Sequence, residues 1–483
     1  ANKSGINGIT DWNIIKPDAY NDWLNKRGEV SKDWENHIPL GDKNNKNVEK
    51  NTIFQMFSLG IATHRDAWVY NKSKKILTEN IKRHIDFCNS QNLDHVSYNS
   101  KLGAWNNELT DDLKKLKQTG KILKFDKKKI RMSLYRPFFK QFLYFEPILI
   151  TAKYRIPSFF PNNDKNPTII VPDKTKDNFS TMVVEQTPDL EAVHHGQTFP
   201  LKTKNTDLRV GGGGRNIQQS VHSDSRQDQR GVFSVHNGHD TRPTHTRSKS
   251  NISVQSDDMM QDNITDWALE RYQTIYKDKS ITKEDIFYYT YGILHSSGFR
   301  EKYKAFLVRG IPNIPFAPDF RAFEKAGREL ADLHLNFETC RRFDLGEPLE
   351  PIPKSPKKIT FGRKPRDRLG PKEEDDYTKI KIDDVLVYSN LPIIHYKVNG
   401  NTPVGWFVDR YSFRIDQKGK SGNTNWPLEG KTGTDVRAIL ERLVYVGIES
   451  DNIINELPDE FEMNVEKIKL PNKQKTRQER LSF

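Results

Sequence analysis

The chain has 483 residues, 29% of them charged and 35% hydrophobic, with a formal net charge of +13. That length suffices for two or three domains with real cores, and the positive balance favours a polyanionic partner, since neutralising phosphates releases counterions. Two cysteines, Cys88 and Cys340, exclude a disulfide-built scaffold, and no apolar run reaches the roughly 18 residues of a membrane-spanning helix. A cytoplasmic protein is expected, and a start at Ala1 without Met suits a fragment or processed chain.

Residues 1–120 read as mostly helical. Ile53, Phe54, Phe57 and Leu59 precede Thr63; Ile76, Ile81, Ile85 and Phe87 recur at helical spacing; Leu109, Leu113 and Leu116 predict a further helix closed by Gly120. From Ile122 the period changes. Over 121–204, apolar residues from Ile122 to Phe145 alternate with Lys124, Lys127, Lys128, Lys129, Arg131, Arg136 and Lys140, and Thr168-Ile-Ile-Val and Thr181-Met-Val-Val are short strands. Together they predict a twisted sheet with one basic face; the alternative is an amphipathic sheet with core aromatics and merely solvated lysines.

Residues 205–262 carry Gly211-Gly-Gly-Gly-Arg and little apolar content, so a disordered insertion is expected. His222, His236, His239 and His245 lack metal-ligand spacing. Residues 263–345 form a helical block. Asp266 or Thr265 can cap a helix through Tyr276, and Thr282 with Asp285 marks a second N-terminus. Ile286, Tyr289 and Ile293 make one face; after Pro312, Pro315 and Pro318, Phe323, Leu330, Leu333 and Leu335 restart the stripe.

Residues 346–376 read as a flexible basic loop, because Lys357, Lys358, Arg363, Lys364, Arg366 and Arg368 alternate with Pro and Gly. Such a loop is either a phosphate clamp or minor-groove arm, or a solvated linker. Within 377–470, Ile380–Val387 and Ile393–Val398 look like strands, and Thr434-Asp435 caps a last helix through Val446. Residues 471–483 are a frayed tail.

A succession of short motifs runs through this order: Thr63-His-Arg-Asp-Ala-Trp-Val-Tyr-Asn; Tyr135-Arg-Pro-Phe with Leu143-Tyr-Phe; Gln197-Thr-Phe-Pro-Leu; the block from Asn263 through Arg300-Glu-Lys-Tyr and Ile314-Pro-Phe to Gly327-Arg-Glu-Leu-Ala-Asp-Leu-His-Leu; and Gly405-Trp-Phe-Val-Asp-Arg-Tyr with Asp416 and Ser421-Gly. In kind and order they resemble the C-terminal specificity region of the single-chain, helicase-containing type ISP restriction-modification enzymes. The resemblance covers most of residues 12–455 and lapses across roughly 205–262.

The chain lacks the glycine-rich S-adenosylmethionine loop and the Asn-Pro-Pro-Tyr motif of the family's N6-adenine methyltransferase; Asn166-Pro-Thr is the nearest echo. Gly430-Lys-Thr lacks the earlier glycine of a phosphate loop, where Asn425 stands, and Glu429-Gly-Lys with Asp416 is too degenerate to mark a nuclease. No catalytic, cofactor or metal residue is therefore assigned.

The resemblance implies an α+β target-recognition domain, preceded by a helical connector, that reads duplex DNA for upstream methyltransferase and helicase domains of the same polypeptide. S-adenosylmethionine, ATP and magnesium would belong to those domains. The alternatives are the C-terminal part of a stand-alone DNA adenine methyltransferase and a non-catalytic interaction subunit. Candidate DNA contacts are Lys127, Lys128, Lys129, Arg131, Arg136, Lys140, Arg363, Lys364, Arg366 and Arg368; Arg136 is either a base reader or a residue that holds its turn.

Overall fold

The computed structural model describes residues 30–43, 51–89, 120, 122–161, 164–175, 179–204, 259–365, 373–416 and 421–465. Residues 1–203 and 262–483 belong to one compact unit, and 204–261 to a second, of which only 204 and 259–261 are described. The expected helix over 109–116, the histidines at 222–245, Arg366, Arg368 and the tail all lie outside the described residues, as does 205–258 of the insertion. Met260–Asp262, at its end, is a strand paired with Lys202–Lys204.

The fold is α+β, with several small sheets rather than one large one. One four-stranded sheet runs in the order Ser58–Leu59, Gly196–Pro200, Thr168–Pro172, Met182–Val184. Its last three strands are buried at every position, so both faces are covered and a β-branched run such as Thr168-Ile-Ile-Val needs no polar alternation. A second sheet runs Tyr70–Asn71, Phe139–Tyr144, Ile130–Arg136, Thr187–Pro188, with the last pair parallel. The strands predicted from 122–145 and from 168–184 thus exist, but in two sheets.

Helix Lys74–Asn89 covers the second sheet, burying Leu77, Ile81 and Ile85 in a core shared with Leu143, Tyr144 and Phe159. Ahead of it the structure departs from expectation. Residues 53–62 are extended, with a bridge from Phe54 to Ile264 and the strand Ser58–Leu59, because they complete sheets whose other strands come from far along the chain.

The larger core joins the first sheet to the helical block. Thr265 caps helix Asp266–Tyr276 by accepting from Ala268 N at 3.1 Å, and Thr282 and Asp285 form a reciprocal box at the start of helix Lys283–Ile293. That helix crosses Phe320–Leu335 closely. A Cβ on Gly292 would stand 2.1 Å from Phe323 O, and one on Gly327 1.8 Å from Tyr288 O, so the crossing requires both glycines.

Part of the expected basic loop, 359–365 and 373–376, is strand, while 366–372 lie outside the described residues. Ile359–Pro365 pairs antiparallel with Glu373–Ile382, which pairs with Val385–Tyr388. Ile359, Phe361, Ile380 and Ile382 are buried beneath it, a period of two that the neighbouring Lys, Arg, Pro and Gly obscure in sequence. Residues 393–397, expected as a strand, form no ladder; Val398 makes one bridge, to Asn401. The last helix is Gly433–Asn455, capped by Thr432 with Asp435, two residues before the expected cap and nine beyond the expected end at Val446. Among the described residues no helix is long and apolar enough to cross a membrane.

Candidate nucleic-acid interface

The basic residues singled out in sequence divide by environment. Lys127 and Lys128 are exposed in a 3₁₀ turn that Asp126 caps, whereas Lys129 pairs with Glu146. Arg131 lies 4.0 Å over the Phe145 ring and donates to Phe160 O, and burial lowers its pKa. Lys140 is buried, with Nζ 3.3 Å from Leu335 O and 3.6 Å from Glu338. Arg363 faces Asp375 at 2.5 Å and Lys364 faces Glu374 at 3.3 Å across the hairpin. Among the described candidates, Lys129, Lys140, Arg363 and Lys364 therefore each face a carboxylate and Arg131 an aromatic ring, and Arg366 and Arg368 lie outside the described residues.

The structure instead brings the motifs themselves together. Thr63–Trp68, Arg136, Asp189–Glu191, His195 and Asp416 line a cavity of about 420 Å³. Strand register explains the meeting. Ser133 and Leu134 pair in parallel with Thr187 and Pro188, so Arg136 and Asp189 both lie at the same end of two adjacent strands. Asp189 N donates to Leu134 O, while Ile61 N donates to Pro188 O and Leu190 N to Ile61 O, which ties the segment before Thr63 to the same edge.

Arg136 Nη1 lies 2.8 Å from Asp189 Oδ1 and its Nη2 3.9 Å from Asp66 Oδ2, with the guanidinium 3.9 Å over the Tyr135 ring. Tyr135 OH donates to Asp66 Oδ2 at 2.8 Å, and Thr63 donates to the other oxygen. Burial works against the charge of Arg136, yet Tyr135, Asp189 and Asp66 hold its pKa above the usual value. Burial and repulsion from Asp66 push Asp189 up to about 7, although Arg136 opposes them. Burial and the same carboxylates raise Tyr70 and Tyr135. The motif junction is a partly buried network of ion pairs and hydrogen bonds that holds Arg136 in place, with Asp189 its most buried member.

Asp189, Glu191 and the histidine pair were not singled out in sequence. Asp189 has no motif of its own; only the parallel pairing reveals it, and a non-local pairing leaves no local period. His194 Nδ1 and His195 Nε2 lie 3.4 and 3.5 Å from Glu191, and the three side chains offer ligand atoms within 4.8 Å of one another. Thr432, in the Gly430-Lys-Thr sequence, spends its hydroxyl on capping its helix, as a loop residue rather than a phosphate-loop residue would.

An α+β unit built on these motifs, in this order, is a specificity domain of the restriction-modification kind. More narrowly, the chain belongs to the type ISP C-terminal specificity domain family, whose model matches residues 52–434. Its fold is similar to a nuclease-deletion mutant of the type ISP restriction-modification enzyme LlaGI in complex with a DNA substrate mimic, at 25% identity and a TM-score of 0.67, covering 94% of this chain and 31% of that one. It is also similar to DrdV in a DNA complex (24%, TM-score 0.71, 94% and 41%) and to the ATP-dependent type ISP enzyme LlaBIII bound to DNA (23%, TM-score 0.67, 93% and 26%). The chain thus spans less than half the length of each. No curated protein matches.

Proposed function

We propose that this chain is the DNA-reading part of a larger type ISP-like enzyme, recognising a duplex site for adenine methylation and restriction carried out elsewhere in that polypeptide. The observation that carries the reading is family membership over 52–434 together with a fold shared with enzymes that were themselves determined with DNA. S-adenosylmethionine, ATP and magnesium are assigned to the rest of the parent enzyme.

Chemistry divides the labour. Exposed Lys127 and Lys128 suit phosphates, which position the duplex without reading it. The cavity at the motif junction, where Asp66, Asp189, Glu191 and Asp416 outnumber Arg65 and Arg136, disfavours phosphate and suits a base edge that donates an exocyclic amine. Anisotropy of labelled duplexes between about 50 and 200 mM salt tests the reading. Binding that falls steeply with salt, with no methyl transfer from added S-adenosylmethionine, is expected; salt-independent binding, or methylation by this chain alone, overturns it.

A further inference from the structure

Arg300 opens the Arg300-Glu-Lys-Tyr motif, on helix Ser297–Lys302, and it lacks what a withdrawn guanidinium ordinarily has. Its Nε donates to Leu294 O at 2.6 Å, the only hydrogen bond of its side chain among the described residues. None of them places a carboxylate within ion-pair distance of it. The guanidinium lies 5.7 Å from the centroid of Phe179, and burial lowers its pKa while Tyr396 and Tyr291 oppose the shift. Both Nη groups thus lack a protein partner among the described residues while remaining open to solvent, so an anion entering from outside can reach them.

The surroundings fit an anion. Arg300 lines a cavity of about 390 Å³ together with exposed Lys304 and Lys397. The Tyr396 hydroxyl on the same wall is buried and has no partner among the described residues. Two carboxylates also line it, Asp451, which accepts from the His395 backbone N at 2.8 Å, and exposed Glu301, so the cations Arg300, Lys304 and Lys397 exceed them by one. His295 adds no positive charge, because burial and Arg300 hold its pKa well below 6.5.

We infer that this cavity binds a phosphate group, with the Arg300 guanidinium gripping two of its oxygens, Lys304 and Lys397 supplying mobile charge and the Tyr396 hydroxyl a further donor. The group is either a phosphodiester of the DNA backbone, in which case the inference rests on the proposed DNA reading, or a free phosphate, in which case it stands apart from it.

The test uses the full chain. Inorganic phosphate is titrated at constant ionic strength, with chloride as control, against the wild type, Arg300→Gln, Arg300→Lys and the double variant Lys304→Gln/Lys397→Gln. The lysine pair is exposed, so that variant keeps the experiment readable where Arg300→Gln fails to fold. Phosphate-specific stabilisation of the wild type, reduced severalfold in the double variant and partly kept by Arg300→Lys, is expected. Duplex anisotropy separates the sources. A salt slope lowered by about 0.9 per lost contact, with phosphate competing against duplex, marks a backbone site; phosphate binding with duplex affinity unchanged marks a free-phosphate site. No phosphate effect on the wild type, with unaltered duplex binding in the double variant, overturns the inference. Failure of the wild type to bind any duplex counts against the DNA reading and leaves the phosphate titration to decide this one.

Discussion

At the scale of the residue, Asp189 makes a quantity that is normally featureless measurable. Its folded pKa of about 7 exceeds the unfolded value near 4, so the native state holds the proton more tightly between those limits. Stability from this group is complete below about pH 4 and is lost as pH rises through about 7. An uncharged amide in place of this carboxyl imitates the protonated form at every pH. Urea unfolding of wild type and Asp189→Asn should therefore diverge between about pH 4 and 7, the wild type losing on the order of a few kcal/mol relative to the variant; parallel profiles would refute the coupling. Arg136→Ala removes the partner of a buried carboxylate and should lower the melting temperature and weaken every duplex alike. Loss confined to the cognate site would make Arg136 a base reader instead.

At the scale of the element, the crossing of Lys283–Ile293 with Phe320–Leu335 depends on the absence of two side chains. Gly327→Ala sets a methyl group against the Tyr288 carbonyl and should cost about 1–3 kcal/mol or more in thermal unfolding, because backbone must move. Lys325→Ala, on the exposed face, should stay within about 0.5 kcal/mol. Equal effects would mean the helices part readily. The helical block was legible in sequence because its caps and stripes are local: Thr265, Thr282 and the Leu330–Leu333 spacing lie within a few residues of what they control. The hairpin Ile359–Pro365 with Glu373–Ile382 was not, since charge and Pro/Gly content dominate its composition while its strand period rests on Ile359, Phe361, Ile380 and Ile382. Its cations face Asp375 and Glu374, so Arg363→Ala with Lys364→Ala should leave the salt dependence of duplex binding unchanged. Lys127→Ala with Lys128→Ala should lower the slope by about 0.9 per lost contact. The reverse ranking would return the hairpin to the interface.

At the scale of the whole molecule, the motifs were legible one by one and their meeting point was not. Thr63–Trp68 and Tyr135–Phe138 could be quoted from sequence, but that Asp189 completes them follows from a parallel pairing no local pattern encodes. The same interleaving recurs throughout. Asn71 Nδ2 donates to Thr424 O and Lys72 N to Asn425 Oδ1, each across 353 residues, and the Asn423 amide reaches back to Ala67 O. During synthesis these early polar groups must wait, hydrated and unpaired, until the segment around Thr424 has emerged. Closure of this seam is consequently late and topology-limited: Tyr70–Asn71 can join Phe139–Tyr144 early in synthesis, but the Asn71 amide and the backbone around Ala67 and Lys72 stay hydrated until the segment around Thr424 arrives.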